Sequence, residues 1–395
     1  MLASRKLIMQ KQNKNKKFAK IFAFNFIYTE EHNMKEFKIA VMPGDGIGKE
    51  ITEPSVNLIT ETAKSFGVKL NNVLVDAGAE LYARTGDAFP EENFEEAKSA
   101  DAIYLCAMGL PTVRYPDGTE IGPQHTLRKR LKLYAGVRPC ITMPNLPLPL
   151  KDERANNLDF VIVRESIEGI FAAPRKGQLD TEDVAYNAIK VSREISEKLF
   201  DYSFKLAQSR KAAGGMGKVT CIDKANVLSS MFYFRKIFDE VKQKYPDIVA
   251  DYSYVDAAAL TMVRKPWSLD VCPTENLMGD ILSDLASALM GGMGMSSSGE
   301  IGDNNAVFQP THGTAPDIAG TGKANPTGMI LSGGLMLEYL GTKFNSPEAV
   351  KASNVIKQAV KNAYAAGGLL PYELGGTSGW KEITAAIDKE IEKLL

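Results

Sequence analysis

Apolar runs of five to eight residues alternate along most of the chain with longer stretches whose apolar residues recur at helical spacing. "FKIAVMP" (37–43) predicts a strand, residues 48–66 a helix and "VKLNNVLV" (68–75) a second strand. "EENFEEAKSA" reads as helical and "DAIYLCAM" (101–108) as a buried strand. "LDFVIVRE" (158–165) predicts a strand before a long helical pattern from about Thr181 to Arg210. "KVTCID" (218–223) is strand-like, residues 228–244 helical, and "ADYSYVDA" strand-like again, ending at Asp256. The last hundred residues hold three helical runs broken by Gly/Pro loops. Strands alternating with helices predict an α/β architecture with a parallel or mixed sheet. There is no internal repeat and no low-complexity linker.

Composition narrows this picture. A chain of 395 residues has room for two cores. Its 44% hydrophobic and 24% charged content is that of an ordinary globular protein. A net charge of −1 gives no field that would attract nucleic acid or an acidic membrane, so neither is expected as a partner. The four cysteines (Cys106, Cys140, Cys221, Cys272) are far apart, lie in strand-like segments and form no CxxC pair. They read as reduced, buried thiols of a cytoplasmic protein. Residues 1–34 are rich in Lys and Asn and read as a disordered extension, with organellar targeting as the alternative. Their apolar part, "FAKIFAFNFIY" (18–28), is too short to span a bilayer.

"PGDGIGKE" (43–50) follows a strand, but Lys49 stands where a dinucleotide fingerprint needs its third glycine, so no Rossmann domain is expected. The acids say more. In "GDILSDLASAL", Asp280 and Asp284 would share a helix face, where like charges at i,i+4 repel. With Asp256 they would make a hard oxygen site suited to Mg²⁺ or Mn²⁺. The plain alternative, a helix cap at Asp280 and a solvated Asp284, is equally open on spacing alone. "LRKRLKLYAGVRP" (127–139) contributes Arg128 and Arg138, and Arg164 closes "FVIVRE" at the carboxyl end of a buried strand, where α/β sites form. Guanidinium forks of this kind bind carboxylates bidentately.

"GDGIG", "LRK…LYAGVRP", "VRESIEGIF", "DKANVL", "VDA", "GDILSDLA" and "HGTAPDIAGTGKANP" occur in this order. Together, from about residue 36 to the C-terminus, they resemble the metal-dependent β-decarboxylating dehydrogenases, the family of isocitrate, 3-isopropylmalate, homoisocitrate, tartrate and D-malate dehydrogenases. The resemblance implies a two-domain fold with a mixed sheet. Residues 35–133 and 291–395 would form the large cofactor-binding domain, and 134–290 the small domain with the dimer interface.

The resemblance also implies roles. Asp280 and Asp284 would bind Mg²⁺ or Mn²⁺ together with Asp256 of a second subunit, which makes a homodimer the expected state. Arg128, Arg138 and Arg164 would clamp the carboxylates of a malate-type hydroxy diacid, and Lys224 would assist loss of the hydroxyl proton. Asn226 would help orient cofactor and substrate. In "HGTAPDIAG" (312–320), with its Gly313 and Ala315, Asp317 would accept from the ribose hydroxyls and so select NAD over NADP, while His312 and Asn325 would contact adenine. Gln124 and His125 suggest a polar pocket for the C3 substituent. The chain departs from the family at Phe171, where a tyrosine acid is usual. Lys224, Tyr134 or an ordered water would then supply the proton, or decarboxylation would be weakened. A non-catalytic regulatory paralogue is the reading from a different class, disfavoured because the acids, the arginines and Lys224 are all in place.

Overall fold

The computed structural model describes residues 34–172 and 181–395. The extension read at residues 1–34 thus lies, but for Met34, outside the described residues. One ten-stranded sheet runs in the order β2-β1-β3-β10-β9-β4-β5-β8-β6-β7. The strands are β1 Lys35–Gly44, β2 Val68–Leu74, β3 Ala102–Ala107, β4 Ala135–Ile141, β5 Asp159–Glu165, β6 Lys218–Asp223, β7 Val249–Tyr254, β8 Val271–Thr274, β9 Ser297–Ile301 and β10 Ala306–Pro310. The outer pairs are parallel, and β10-β9-β4-β5 in the centre is antiparallel. A mixed sheet is therefore present, as the alternating pattern predicts. All four cysteines are free and buried, each within a strand.

The helices that matter for the site are α1 Gly48–Ser65, α4 Pro123–Arg130, α5 Arg193–Ala212, α6 Ser229–Val241, α7 Val255–Arg264 and α8 Asn276–Leu289. Two shorter helices, α2 Ala79–Thr85 and α3 Glu91–Lys98, fall between β2 and β3. Three more, α9 Thr327–Lys343, α10 Pro347–Ala365 and α11 Trp380–Leu394, complete the chain. Phe200 and Phe204 of α5 pack on Phe234 and Phe238 of α6, all four essentially buried, with ring centroids 4.6–5.3 Å apart. Burying each is worth roughly 1.5–3 kcal/mol, which fixes this helix pair over β6 and β8. No helix among the described residues is long and apolar enough to cross a membrane.

Two expectations need correction. The helical pattern from about Thr181 does not become helix until Arg193. Lys190 pairs with the backbone of Gly169, and the Ser192 N–H donates to Glu168 Oε2 at 2.8 Å, so tertiary contacts rather than helical ones engage residues 190–192. Ser192 then caps α5 by accepting from the Ile195 N–H. Asp256, expected to end a strand, sits instead in the first turn of α7, where free backbone N–H groups favour a carboxylate.

The glycine loop after β1 is a structural turn. The Asp45 carboxylate, 1% exposed, accepts from the N–H groups of Ala79, Glu80 and Gly109. Gly44 and Gly46 adopt positive φ, and a Cβ on Gly46 would lie 2.2 Å from the Thr314 carbonyl oxygen. The loop thereby anchors the segment that follows β10.

Candidate active site

An open cleft of about 250 Å³ lies over the carboxyl ends of β3 and β10. Helix α4 contributes Gln124, His125 and Arg128, β4 contributes Arg138 and β5 Arg164. Helix α8 contributes Asp280, Ser283 and Asp284, and the chain after β10 contributes Thr311, His312 and Gly313. Phe171 completes the lining.

The arginines are brought together from three elements. Arg128 Nη2 and Arg138 Nη2 both donate to Oε1 of Glu300, at 2.9 and 2.5 Å. Burial pushes Arg138 down to about 10 although Glu300 acts to raise it. Burial would raise the Glu300 carboxyl, but Arg128, Arg138 and Arg164 outweigh it and hold the group at about 2. Arg164 donates through Nε to Asn276 Oδ1 at 2.9 Å and through Nη1 to Asp280 Oδ1. Its own value is lowered, first by burial and then by Arg128. Close contact between β5 and α8 depends on Gly279, where a Cβ would fall 2.8 Å from Arg164 Cβ.

Glu275 starts α8 by accepting from the Met278 N–H, which turns Asp280 and Asp284 to the cleft one helical turn apart. Burial and then the neighbouring Asp280 charge raise the Asp284 carboxyl above its ordinary value. Two adjacent hard-oxygen donors whose charges disfavour each other suit a divalent cation. They do not complete a site, since no group of three or more His, Cys, Asp or Glu side chains that could hold a metal occurs among the described residues.

Lys224 and Asp256 are absent from the cleft. They form an ion pair of 2.6 Å on another face, where the Lys224 hydrogen bond lowers the Asp256 carboxyl. Asn226 is exposed beside them. Exposed apolar side chains lie on the neighbouring elements: Val227 is 70% exposed, Phe232 of α6 62%, Leu260 of α7 56% and Ile281 of α8 62%.

The loop after β10 is held by bonds to segments distant in sequence. Ile47 N–H donates to Thr314 O at 2.9 Å, and Thr314 Oγ1 to Gly109 O at 2.7 Å. His312 Nδ1 lies 2.9 Å from the Gly313 carbonyl, while Nε2 is buried without a hydrogen-bond partner. Burial lowers the pKa of His312, so its ring is neutral near pH 7. No atom lies within 4 Å of a Cβ built on Gly313, Ala315 takes the left-handed φ of 37°, and Asp317 is exposed. Asn325 is buried, donates to Glu373 Oε1 at 2.9 Å and accepts from the Thr327 N–H at 3.0 Å, so its amide also serves the start of α9.

The fold thus gathers Gln124, Arg128, Arg138, Arg164, Asp280, Asp284, His312 and Gly313 around one cleft. Phe171 is there too, its ring centroid 5.6 Å from the Arg164 guanidinium, whereas Tyr134 packs against the core. Sequence reasoning missed Glu300. Its signal was present, a lone charge in the small and apolar run "SSSGEIG", but only the register of β9 against β4 puts it under the arginines.

The Isocitrate/isopropylmalate dehydrogenase family model matches residues 38–391. The chain is 37% identical over 374 residues to the 3-isopropylmalate dehydrogenase of Aquifex aeolicus, covering 91% of this chain and 99% of that one. It is also 37% identical to the 3-isopropylmalate/3-methylmalate dehydrogenase of Methanocaldococcus jannaschii, covering 90% and 99%. Among solved structures, isocitrate dehydrogenase from Methylococcus capsulatus superposes with a TM-score of 0.78 at 33% identity, covering 90% of this chain and 99% of the other.

Proposed function

The chain belongs to the isocitrate/isopropylmalate dehydrogenase family, and from that premise we propose that it carries out NAD-dependent, Mg²⁺- or Mn²⁺-requiring oxidative decarboxylation of a malate-type 2-hydroxy diacid. Its class is that of an oxidoreductase acting on a hydroxy acid with decarboxylation. The observation that carries the finer reading is the cleft itself, in which three guanidiniums face two carboxylates one helical turn apart.

Arg128, Arg138 and Arg164 bind and orient the substrate carboxylates, and Gln124 reads the C3 substituent. Asp280 and Asp284 hold the divalent cation with Asp256 of the opposite subunit. His312, Gly313, Ala315 and Asp317 line the adenosine end of the cofactor, and Asp317 would repel a 2′-phosphate. When bound, the dinucleotide supplies the hydride acceptor and the cation the Lewis acid that stabilises developing oxygen charge. Lys224 of the opposite subunit takes the hydroxyl proton, and Asn226 beside it steadies cofactor and substrate.

This reading requires a homodimer, because Lys224 and Asp256 lie off the cleft of their own chain. The exposed apolar side chains Val227, Phe232, Leu260 and Ile281 support that state. Strand order supports the division into residues 35–133 with 291–395 and residues 134–290. One half of the sheet, β2-β1-β3-β10-β9, comes from residues 35–107 and 297–310, and the other from 135–274. Free, buried thiols agree with a cytoplasmic site of action.

A second reading is favoured by Phe171, which is 53% exposed in the cleft and has no proton to give. It is a dehydrogenase that oxidises well and decarboxylates slowly. The test is NADH formation over isocitrate, 3-isopropylmalate, homoisocitrate, D-malate and tartrate with Mn²⁺, with CO₂ measured in parallel. NADH with equal CO₂ supports the first reading and NADH ahead of CO₂ the second. No NADH from any of the five contradicts both.

A further inference from the structure

Arg128 and Arg138 reach the cleft from different elements, yet their inner edges converge on one protein carboxylate. Glu300 is 1% exposed in β9, a central strand, and its Oε1 accepts from both guanidiniums. A charge in such a place is costly unless paired, and pairing with the buried Arg138 and the partly buried Arg128 is what offsets the cost. Its neighbours make room for it. Glu300 faces Gly136 of β4 across the sheet, and a Cβ on that glycine would stand 3.0 Å from Glu300 Oε2. The Ser166 hydroxyl adds to the arginines in favouring the ionised carboxylate.

The consequence is one of charge. Arg128, Arg138 and Arg164 bring three positive charges to the cleft, and Asp280, Asp284 and Glu300 bring three negative ones. Asp280 is paired with Arg164 and Glu300 with the other two. The guanidinium pair therefore meets a ligand with one of its two charges already neutralised from below. A bound divalent cation would add its own charge beside Asp280 and Asp284, but Glu300 still removes one positive charge from the Arg128–Arg138 pair that a third carboxylate would meet.

We propose that Glu300 is a specificity-determining residue, a built-in carboxylate under Arg128 and Arg138 that restricts the cleft to 2-hydroxy dicarboxylates with an uncharged C3 substituent and disfavours hydroxy tricarboxylates. The inference rests on the hydroxy-diacid reading and sharpens its substrate class. Glu300 touches no substrate. It acts through the charge and the fixed orientation of the two arginines, so replacing it changes the ratio of affinities more than the rate of chemistry.

The test is calorimetric binding and kcat/KM for 3-isopropylmalate, a dicarboxylate, and isocitrate, a tricarboxylate, in wild type, Glu300→Gln and Glu300→Ser. Circular dichroism establishes that each variant is folded. Wild type is expected to favour the dicarboxylate, and each folded variant to shift the ratio of affinities toward the tricarboxylate by about tenfold or more, the effect of removing one nearby like charge. A wild type that prefers isocitrate overturns the proposal whether or not the variants fold. So does an unchanged ratio in a folded variant. If wild type turns over neither these nor any other hydroxy diacid, the functional reading itself fails and this inference falls with it, a result distinct from an unchanged ratio.

Discussion

Lys224 Nζ lies 2.6 Å from Asp256 Oδ1, and neither residue lines the cleft that holds Asp280 and Asp284. On the proposed function, both would reach that cleft from a second copy. Mixing two inactive variants, Lys224→Met and Asp280→Asn, should therefore restore activity. Half of randomly assorted dimers are heterodimers with one intact site of two, so about one quarter of wild-type rate is expected. Mixed variants that stay inactive after subunit exchange, with dimers present by sedimentation, would place all the machinery in one chain.

Asp317 is exposed at the open end of the loop formed by residues 312–320. Its charge should give a kcat/KM for NAD well above that for NADP, and Asp317→Lys with Ile318→Tyr should shift the ratio toward NADP by about tenfold or more. Steady-state kinetics with both dinucleotides decide this. Equal constants in wild type would remove Asp317 from the cofactor site.

Phe171 stands in the cleft without an ionisable proton. A positioned general acid contributes about 10²–10⁴-fold to the step it serves. Phe171→Tyr should accordingly speed enolate protonation more than hydride transfer. Solvent-deuterium incorporation at C3, starting from the 2-keto diacid, reports the first step, and NADH formation from the hydroxy acid reports the second. Equal rates in wild type and variant would assign the proton to another group.

Glu165 is buried beside Glu168 and Glu275, and burial raises its carboxyl from 4.5 to about 7 against the donated N–H groups of Glu168 and Ile167. The folded state therefore holds a proton between these values that the unfolded state has lost. The stability contribution is fully present below pH 4.5 and falls as pH rises toward 7, by on the order of a few kcal/mol. Glu165→Gln should flatten that slope in denaturant titrations across the same range. A variant with the wild-type slope would show that Glu165 ionises normally.

The alternating apolar pattern made β1, β2, β3, β5, β6 and β7 legible but not β4, β8, β9 or β10, which are short or interrupted by Gly, Pro and Ser, and Arg128, Arg138, Arg164, Asp280 and Asp284 line one cleft. What pattern could not show was contact between distant segments. Residues 181–192 carry helical periodicity but are not helical, since Lys190 pairs with Gly169 and Ser192 donates to Glu168. Asn325 has the residue type of a ligand contact, yet Glu373, 48 positions on, takes its amide. Glu300 looked like one more acid until strand register put it between two arginines.

The central claim is that Asp280 and Asp284 make this cleft a metal-dependent site for oxidising a hydroxy diacid. The most direct test is the initial rate of NADH formation, on whichever hydroxy diacid wild type turns over, titrated with Mn²⁺ after chelation, for wild type and Asp280→Asn. Wild-type activity should vanish in chelator and return with Mn²⁺, while folded Asp280→Asn stays inactive across the titration. A wild-type rate indifferent to chelator, or Asp280→Asn turning over at the wild-type rate, would contradict the account.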